Sequence, residues 1–160
     1  MIPAPPSVTA VTKFLLAVHV LAAIVAIGPV TVAASMFPPA ARRALAAPDD
    51  PQAAQTLRLL HRICRVYAVV GVVVPVFGFG TARAMGVLGD TWLIVSIALT
   101  VLAALVLGAL VLPGQEALVE GGSGGREATV RLAMLTGVFN LLWATVTVLM
   151  IVRPGSTTGA

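Results

Sequence analysis

Four long runs of apolar residues, separated by polar stretches, dominate the pattern of the chain. They cover residues 12–34, 64–85, 91–112 and 132–152. Each run supplies about the 20 residues that a helix needs to cross a hydrocarbon core about 30 Å thick. Lipid offers backbone N–H and C=O groups no partner, so such runs must be helical. The pattern therefore predicts an all-α polytopic membrane protein, a four-transmembrane-helix bundle that forms a single integral membrane domain over residues 1–160.

The polar segment before the second run predicts a further helical piece. Asp50 followed by Pro51 is typical of a helix start, because the aspartate caps free N–H groups and proline fits the first helical position. No helix breaker follows until Gly71. We therefore expect a cytoplasmic helical extension that begins at residue 51 and runs continuously into the second span. Three arginines on one face of this extension are predicted to lie at the lipid headgroups: Arg58, Arg62 and Arg65.

Small residues recur at helical spacing within two of the spans. Such stripes let two backbones approach closely, which favours helix association in lipid. The stripe of the second span consists of Gly71, Pro75, Gly78 and Ala82. The fourth span has a small and polar face that we expect to point into the bundle: Ala133, Thr136, Gly137, Asn140, Ala144 and Thr147. Pro29 and Pro75 are expected to kink the first two spans.

Composition agrees with the hydrophobic pattern. Hydrophobic residues make up 59% of the chain and charged residues 10%, against roughly 45–50% and about 25% in soluble domains. Cys64 is the only cysteine, so an intrachain disulfide is excluded. The net charge is +4, and the arginines lie beside apolar segments. Anionic membrane lipids are therefore the predicted partners, and nucleic acid is not.

The distribution of basic residues predicts the orientation in the membrane. The first and third loops and their flanks hold Arg42, Arg43, Arg58, Arg62, Arg65, Arg126 and Arg131, whereas the opposite side holds Lys13, Arg83 and Arg153. Basic residues accumulate on the cytoplasmic side of membrane proteins. We expect both termini outside and both basic loops in the cytoplasm of a bacterial-type plasma (inner) membrane. The alternative is a signal peptide cleaved near Ala34.

One histidine interrupts the first apolar run. A polar side chain is costly at that depth, so His19 is a candidate functional residue. Its helix face carries mostly small residues, which predicts that the ring points into the bundle. A rise of 1.5 Å per residue puts it roughly 10 Å below the outer boundary, at the depth of several hydroxyl groups. The predicted polar interior consists of His19, Ser96, Thr100, Asn140, Thr145 and Thr147.

Three roles remain open for His19. The first is a structural hydrogen bond to a hydroxyl or to a carbonyl near a proline; the second is contact with haem, quinone or metal; the third is proton handling. His61 lies more than ~20 Å away from His19 in depth, so the two histidines cannot bind the same metal ion or the same haem. His61 and Cys64 provide only two metal ligands, and no metal site is predicted. The spans contain no Asp or Glu, which argues against acid–base catalysis and ion-coupled transport.

The first span resembles a known family. Its Lys13, Phe14 and then His19, Val20, Leu21 and Gly28 are similar to the opening of a bacterial four-helix family of predicted integral membrane proteins, the domain of unknown function 2269. That family is in turn distantly similar to membrane proteins of the copper-resistance and protoporphyrinogen-oxidase type. In those proteins, a histidine of the first helix is associated with haem or metal. The resemblance implies this role for His19 only. The oxidase type also uses a lysine deep in the bundle, whereas the only lysine here is Lys13.

These observations predict a four-span integral membrane protein without enzymatic activity, acting as an accessory or interaction protein. Its expected partners are membrane lipids, other membrane subunits or a second copy of the chain. The alternative is a haem-, quinone- or metal-associated redox protein that uses His19, and a third possibility is a small transporter. We predict no catalytic residue and no cofactor, with haem the leading candidate if one binds.

Overall fold

The computed structural model describes residues 6–121 and 125–155, and in this part of the chain every regular element is a helix. The first span lies in α1 (Pro6–Ala46), and the second comprises α2 (Pro51–Val70) and α3 (Val73–Met85). The third comprises α4 (Thr91–Leu105), a π-helical segment (Val106–Val111) and α5 (Leu112–Val119). The fourth is α6 (Gly125–Val152). The stretches apolar enough to cross a membrane, the first of which is Thr9–Ala46, are 28 to 38 residues long, and each contains an 18-residue window with a mean hydropathy between 2.0 and 2.8. About 20 apolar residues suffice to cross a membrane. The predicted all-α four-helix bundle is confirmed.

The first helix extends well beyond residue 34, where the apolar run was expected to end. It continues as far as Ala46, through Pro38 and Pro39. The extension is stabilised by packing, because Phe37 and Ala41 are buried in the same hydrophobic core as residues of α2. Tertiary contacts of this kind override the low helix propensity of proline.

The predicted helix start at Asp50 is confirmed, and so is the predicted continuity into the second span, because α2 runs unbroken from Pro51 past residue 64, where that span was expected to begin, to Val70. Oδ1 of Asp50 accepts a hydrogen bond of 2.9 Å from the backbone N–H of Gln52. The helix is interrupted by a turn at residues 71–72, one turn before Pro75. Proline has no N–H to donate to the carbonyl four residues earlier. The carbonyl of Gly71 instead accepts from the N–H of Val74 at 3.1 Å, which tightens the backbone locally.

The third span passes through Pro113, although its apolar run was expected to end at residue 112. Pro113 is the second residue of α5, and the π-helical segment directly precedes that helix. The proline removes the hydrogen bond that would reach residue 109 and crowds its carbonyl. The wider π-helical turn accommodates this change, so the helix continues to Val119.

The main hydrophobic core lies towards the first and third loops. The helix α1 packs against α2, α3 and α6; α4 packs against α6, and α5 packs against α2. The core cluster combines Ile27, Val30, Phe37, Leu57, Leu60, Cys64, Ala103, Val111, Leu132 and Phe139, among others. A smaller cluster at the opposite end contains Ala82, Trp92 and Leu93. Large apolar side chains cover the outer surface, as a lipid environment requires; Leu141, for example, is 70% exposed.

The face of α6 that points inward differs from the predicted one. The buried residues of α6 are Thr129, Leu132, Thr136, Phe139 and Val146. Of the small and polar face, only Thr136 is buried, while Ala133, Ala144 and Thr147 are exposed. The large side chains of Leu132 and Phe139 fill the space between the helices and set the rotation of α6. The small residues consequently lie at the edge of the contact with α1.

Candidate functional site

His19 is held against the second span by a hydrogen bond and by close packing. Its Nδ1 lies 2.9 Å from the carbonyl oxygen of Val74, the residue that precedes Pro75. A carbonyl only accepts, so Nδ1 carries a proton and donates it, and Nε2 takes no part in this bond. The half-buried ring therefore has one nitrogen committed to the fold and one available.

Gly78 provides the space for this ring. A Cβ atom at that position would lie 2.8 Å from Cε1 of His19 and 3.1 Å from Nδ1. Two helical turns away, a Cβ at Gly71 would lie 3.7 Å from Cδ1 of Ile27. Gly71 and Gly78 of the small-residue stripe thus face α1, and His19 fills part of that contact.

The hydroxyl groups expected beside His19 bond elsewhere. Thr100, Thr145 and Thr147 each donate to the backbone carbonyl four residues earlier in their own helix, at 2.7, 2.8 and 3.0 Å. Ser96 is fully buried but donates to the carbonyl of Trp92. Thr145 and Thr147 are exposed, so their predicted place in the polar interior is wrong. Both lie away from the buried face of α6, and each hydroxyl is satisfied within its own helix.

A second polar cluster lies between α2 and α5. Gln115 is fully buried. Its Oε1 accepts from Nδ1 of His61 at 3.2 Å, and its Nε2 donates to Sγ of Cys64 at 3.6 Å. Gln115 therefore forms hydrogen bonds with both side chains that were considered as metal ligands, His61 and Cys64, and it links the second and third spans. Among the described residues, no group of three or more His, Cys, Asp or Glu side chains is placed to hold a metal ion.

The three arginines of α2 lie on the outer surface. Arg58, Arg62 and Arg65 are all exposed. Arg62 and Arg65 border a shallow apolar surface formed by Val66, Val69 and Val70. This arrangement is typical of helices at the level of the lipid headgroups, because the guanidinium groups can contact the headgroups while the valines contact the hydrocarbon.

A groove lies on the surface between α1 and α6. It has a volume of about 200 Å³. The groove is lined by Ser35, Pro38, Pro39 and Arg42 of α1 and by Ala133, Thr136, Gly137 and Asn140 of α6. Pro38 and Thr136 are buried and form its floor, whereas Ser35, Pro39, Arg42 and Ala133 are exposed and form its rim. We call this feature the α1–α6 groove.

Two oxygen atoms of the groove have no hydrogen-bond partner within the described part of the chain. They are Oγ1 of Thr136 and Oδ1 of Asn140, and both atoms are buried. Asn140 uses its amide nitrogen to donate to Oγ of Ser35 at 3.1 Å, which joins α6 to α1. Leaving a buried polar atom unpaired costs about 1–3 kcal/mol. The groove therefore has unused capacity for hydrogen bonds.

Asn140 and His19 thus belong to different places in the bundle. The α1–α6 groove includes Ser35, Thr136 and Arg42, none of which was predicted as a site residue, although Thr136 was assigned to the inward face. Ser35 directly follows the apolar run that ends at residue 34, and Arg42 was counted only as a topology signal. Gln115 was also missed. Its single sequence signal is an uncharged amide close to an apolar run, two residues after a proline.

The fold and these sites define a four-helix bundle whose helices are long and apolar enough to span a membrane. Comparisons with known protein families, with curated proteins and with solved structures found no match to this chain.

Proposed function

We propose that the protein is a non-enzymatic accessory or interaction protein of a bacterial-type plasma membrane, and that it binds a partner within the bilayer at the α1–α6 groove. The observation that supports this proposal is the pair of unpaired buried oxygens, Thr136 Oγ1 and Asn140 Oδ1, in a groove that is also lined by an exposed arginine, Arg42. Buried polar atoms in proteins nearly always have partners. A bound molecule that supplies those partners gives this arrangement a function.

The chemistry of the groove favours binding over catalysis. None of the residues that line it is a His, Asp, Glu, Lys or Cys. Arginine stays protonated, and an asparagine amide is neither protonated nor deprotonated at ordinary pH, so neither side chain can serve as a general base. Activating the Thr136 hydroxyl as a nucleophile requires a general base within hydrogen-bond reach, and the lining residues provide none.

The charge distribution supports a place in the inner leaflet. The groove lies near the end of α1 that carries Arg42 and Arg43, on the side of the basic first and third loops. With those loops in the cytoplasm, the groove opens to the cytoplasmic leaflet and both termini lie outside. A cysteine introduced at Ala47 in the first loop tests this orientation in a Cys64→Ala background. We expect labelling by a membrane-impermeant maleimide only after the membrane is opened; labelling in intact cells would invert the topology.

Site-specific photo-cross-linking tests binding at the groove. Gly137 lines the groove and Gly108 lies on the exposed surface of the π-helical segment, and a Cβ at either position would meet nothing within 4 Å. A benzophenone side chain therefore fits at both. We expect an adduct of defined mass, a lipid or an identified protein, at position 137 in native membranes and not at position 108. Equal labelling at the two positions, or none at 137, would refute binding at the groove.

The geometry of His19 favours one second candidate, a haem- or metal-associated redox protein. Histidines that bind metal ions commonly donate Nδ1–H to a backbone carbonyl and bind through Nε2, and the bond from His19 to Val74 has this form. The described residues supply only this one ligand, so a haem here is five-coordinate or completed by another chain. The absorbance of protein purified from its native membrane tests this candidate. A Soret band that is lost in His19→Ala supports it, and a colourless, folded wild-type protein contradicts it.

A further inference from the structure

We propose that the occupant of the α1–α6 groove is a phospholipid with an anionic headgroup that carries a hydroxyl group, such as a phosphoglycerol headgroup. This inference rests on the proposed function and specifies its partner. It follows from the hydrogen-bonding needs of the two unpaired oxygens, from the charge on the rim, and from the apolar surface that continues the groove.

The unpaired oxygens determine what the ligand must offer. Oδ1 of Asn140 is an amide oxygen that only accepts, so its partner must be a donor. The hydroxyl of Thr136 both donates and accepts. Elsewhere in the bundle, Thr81 and Thr100 donate to the carbonyl four residues earlier, but Thr136 does not. A ligand with a hydroxyl next to an acceptor oxygen satisfies both Asn140 and Thr136.

Arg42 determines the sign of the ligand's charge. Its Nε donates to the carbonyl of Pro38 at 3.4 Å, and the described residues place no carboxylate in an ion pair with it. The remaining N–H groups of the guanidinium fork are available for a phosphate, which arginine binds with two parallel hydrogen bonds. An ammonium group in the same place would repel the arginine. The ligand is therefore anionic, and its donor is a hydroxyl.

The surroundings of the groove fit a lipid. Arg42 is the first charged residue of α1 after Lys13, so its end of the groove lies at the boundary between headgroups and hydrocarbon. On the side away from Arg42, the same helix faces continue with Gly28 and Val32 of α1 and Ala144 of α6, all of them exposed. Small and apolar residues there leave a seam that suits an acyl chain. The volume of about 200 Å³ is well above the roughly 10–15 Å³ that one water molecule needs on the same measure.

Lipid-dependent stability of the detergent-purified protein, together with native mass spectrometry, tests the inference. The probes are phosphatidylglycerol, phosphatidylcholine and inorganic phosphate. Phosphatidylcholine has the phosphate but no donor, and inorganic phosphate has no acyl chain. We expect phosphatidylglycerol to raise the melting temperature and to remain bound in the gas phase, while neither other probe does so. An equal shift with phosphatidylcholine or with inorganic phosphate would overturn the proposed headgroup or the lipid, respectively.

Two substitutions with matched controls assign the binding to the groove. Thr136→Val removes the hydroxyl while keeping the shape, and Arg42→Gln removes the charge; each is expected to weaken phosphatidylglycerol binding about tenfold. The controls are Thr147→Val, on the exposed side of α6, and Arg43→Gln, the neighbour of Arg42 that does not line the groove. Both controls should bind as the wild type does. Equal binding by all four variants would overturn the inference.

The failure of this inference can be distinguished from failure of the proposed function. If phosphatidylglycerol binding does not depend on the groove but the probe at Gly137 forms an adduct with an identified protein, the lipid is wrong and the binding groove stands. If the probe at Gly137 forms no adduct and the lipid effect is independent of Thr136 and Arg42, both proposals are wrong.

Discussion

His19 and Thr136 are both polar side chains in apolar helices, and the structure places them in contrasting surroundings. His19 is half-buried, donates to the carbonyl of Val74 and packs against Gly78. Thr136 is 3% exposed, and its hydroxyl has no partner in the described part of the chain. The histidine was the obvious candidate in the sequence, yet one of its nitrogens is used by the fold. The less conspicuous threonine lies on the floor of a groove and has its hydrogen-bonding capacity unused.

This difference shows that the polar residues of a membrane helix must be compared atom by atom, according to whether each polar atom has a hydrogen-bond partner. Buried hydroxyl groups in the other helices bond the backbone of their own helix, so they do not indicate a site. An interhelical bond such as that of His19 contributes only ~0.6–2 kcal/mol and is compatible with a purely structural role. The informative residues are those whose polar atoms lack partners. The following substitutions test this distinction, from the largest expected effect to the smallest.

Gly78→Ala should strongly destabilise the contact between α1 and α3. The new Cβ would lie 2.8 Å from Cε1 of His19, so the ring or the helix must move. Overpacking together with loss of the bond to Val74 predicts a decrease of about 3 kcal/mol in the free energy of unfolding. Thermal and denaturant unfolding in detergent measure this change. Gly80→Ala is the matched control, because a Cβ there meets nothing within 4 Å; similar losses at both positions would contradict the packing of the ring against Gly78.

His19→Leu should lower the free energy of unfolding by about 1–2 kcal/mol, because it removes the interhelical hydrogen bond while keeping an apolar side chain. The same unfolding assay measures the loss. Val20→Leu, on the exposed side of the same turn, serves as the control and should have little effect. An unchanged stability in His19→Leu would show that the bond to Val74 contributes nothing, and the ring would then be free for another role.

Thr136→Val should raise the free energy of unfolding in lipid-free detergent, whereas the two preceding substitutions lower it. Replacing an unpaired buried hydroxyl by a methyl group removes a desolvation cost, and we expect a gain of about 1 kcal/mol. Thr147→Val should change stability by less than about 0.5 kcal/mol, because that threonine is exposed. Loss of stability in Thr136→Val without lipid would mean that its hydroxyl has a partner in the protein, and the contrast with His19 would disappear.

Ser35→Ala should produce the smallest effect, about 0.6 kcal/mol, through the loss of one interhelical hydrogen bond to Asn140. A double-mutant cycle with Asn140→Leu isolates the coupling between the two side chains. The coupling energy should be close to the loss in Ser35→Ala alone. Strictly additive effects would show that the two side chains do not interact.

The fold could be predicted further than the site. Asp50 and Pro51 correctly predicted the start of α2, because helix capping depends only on neighbouring residues. The stripe with Gly71 and Gly78 correctly indicated a close helix contact. The rotation of α6 was predicted wrongly, because small residues fit both a tightly packed interior and the edge of a groove. Leu132 and Phe139 determine the outcome through their volume, which a pattern of small residues does not reveal.

The sequence by itself determined the number of spans, their helical nature and the start of α2, because length, hydropathy and capping are local properties. The tertiary structure alone decided which carbonyl His19 bonds, that Gln115 joins His61 and Cys64, and that Thr136 and Asn140 of α6 line one groove with Arg42 of α1. Each of these depends on the rotation and depth of one helix relative to another. Those quantities are set by the packing of all side chains in the contact, because lipid gives no apolar face a preference for the interior.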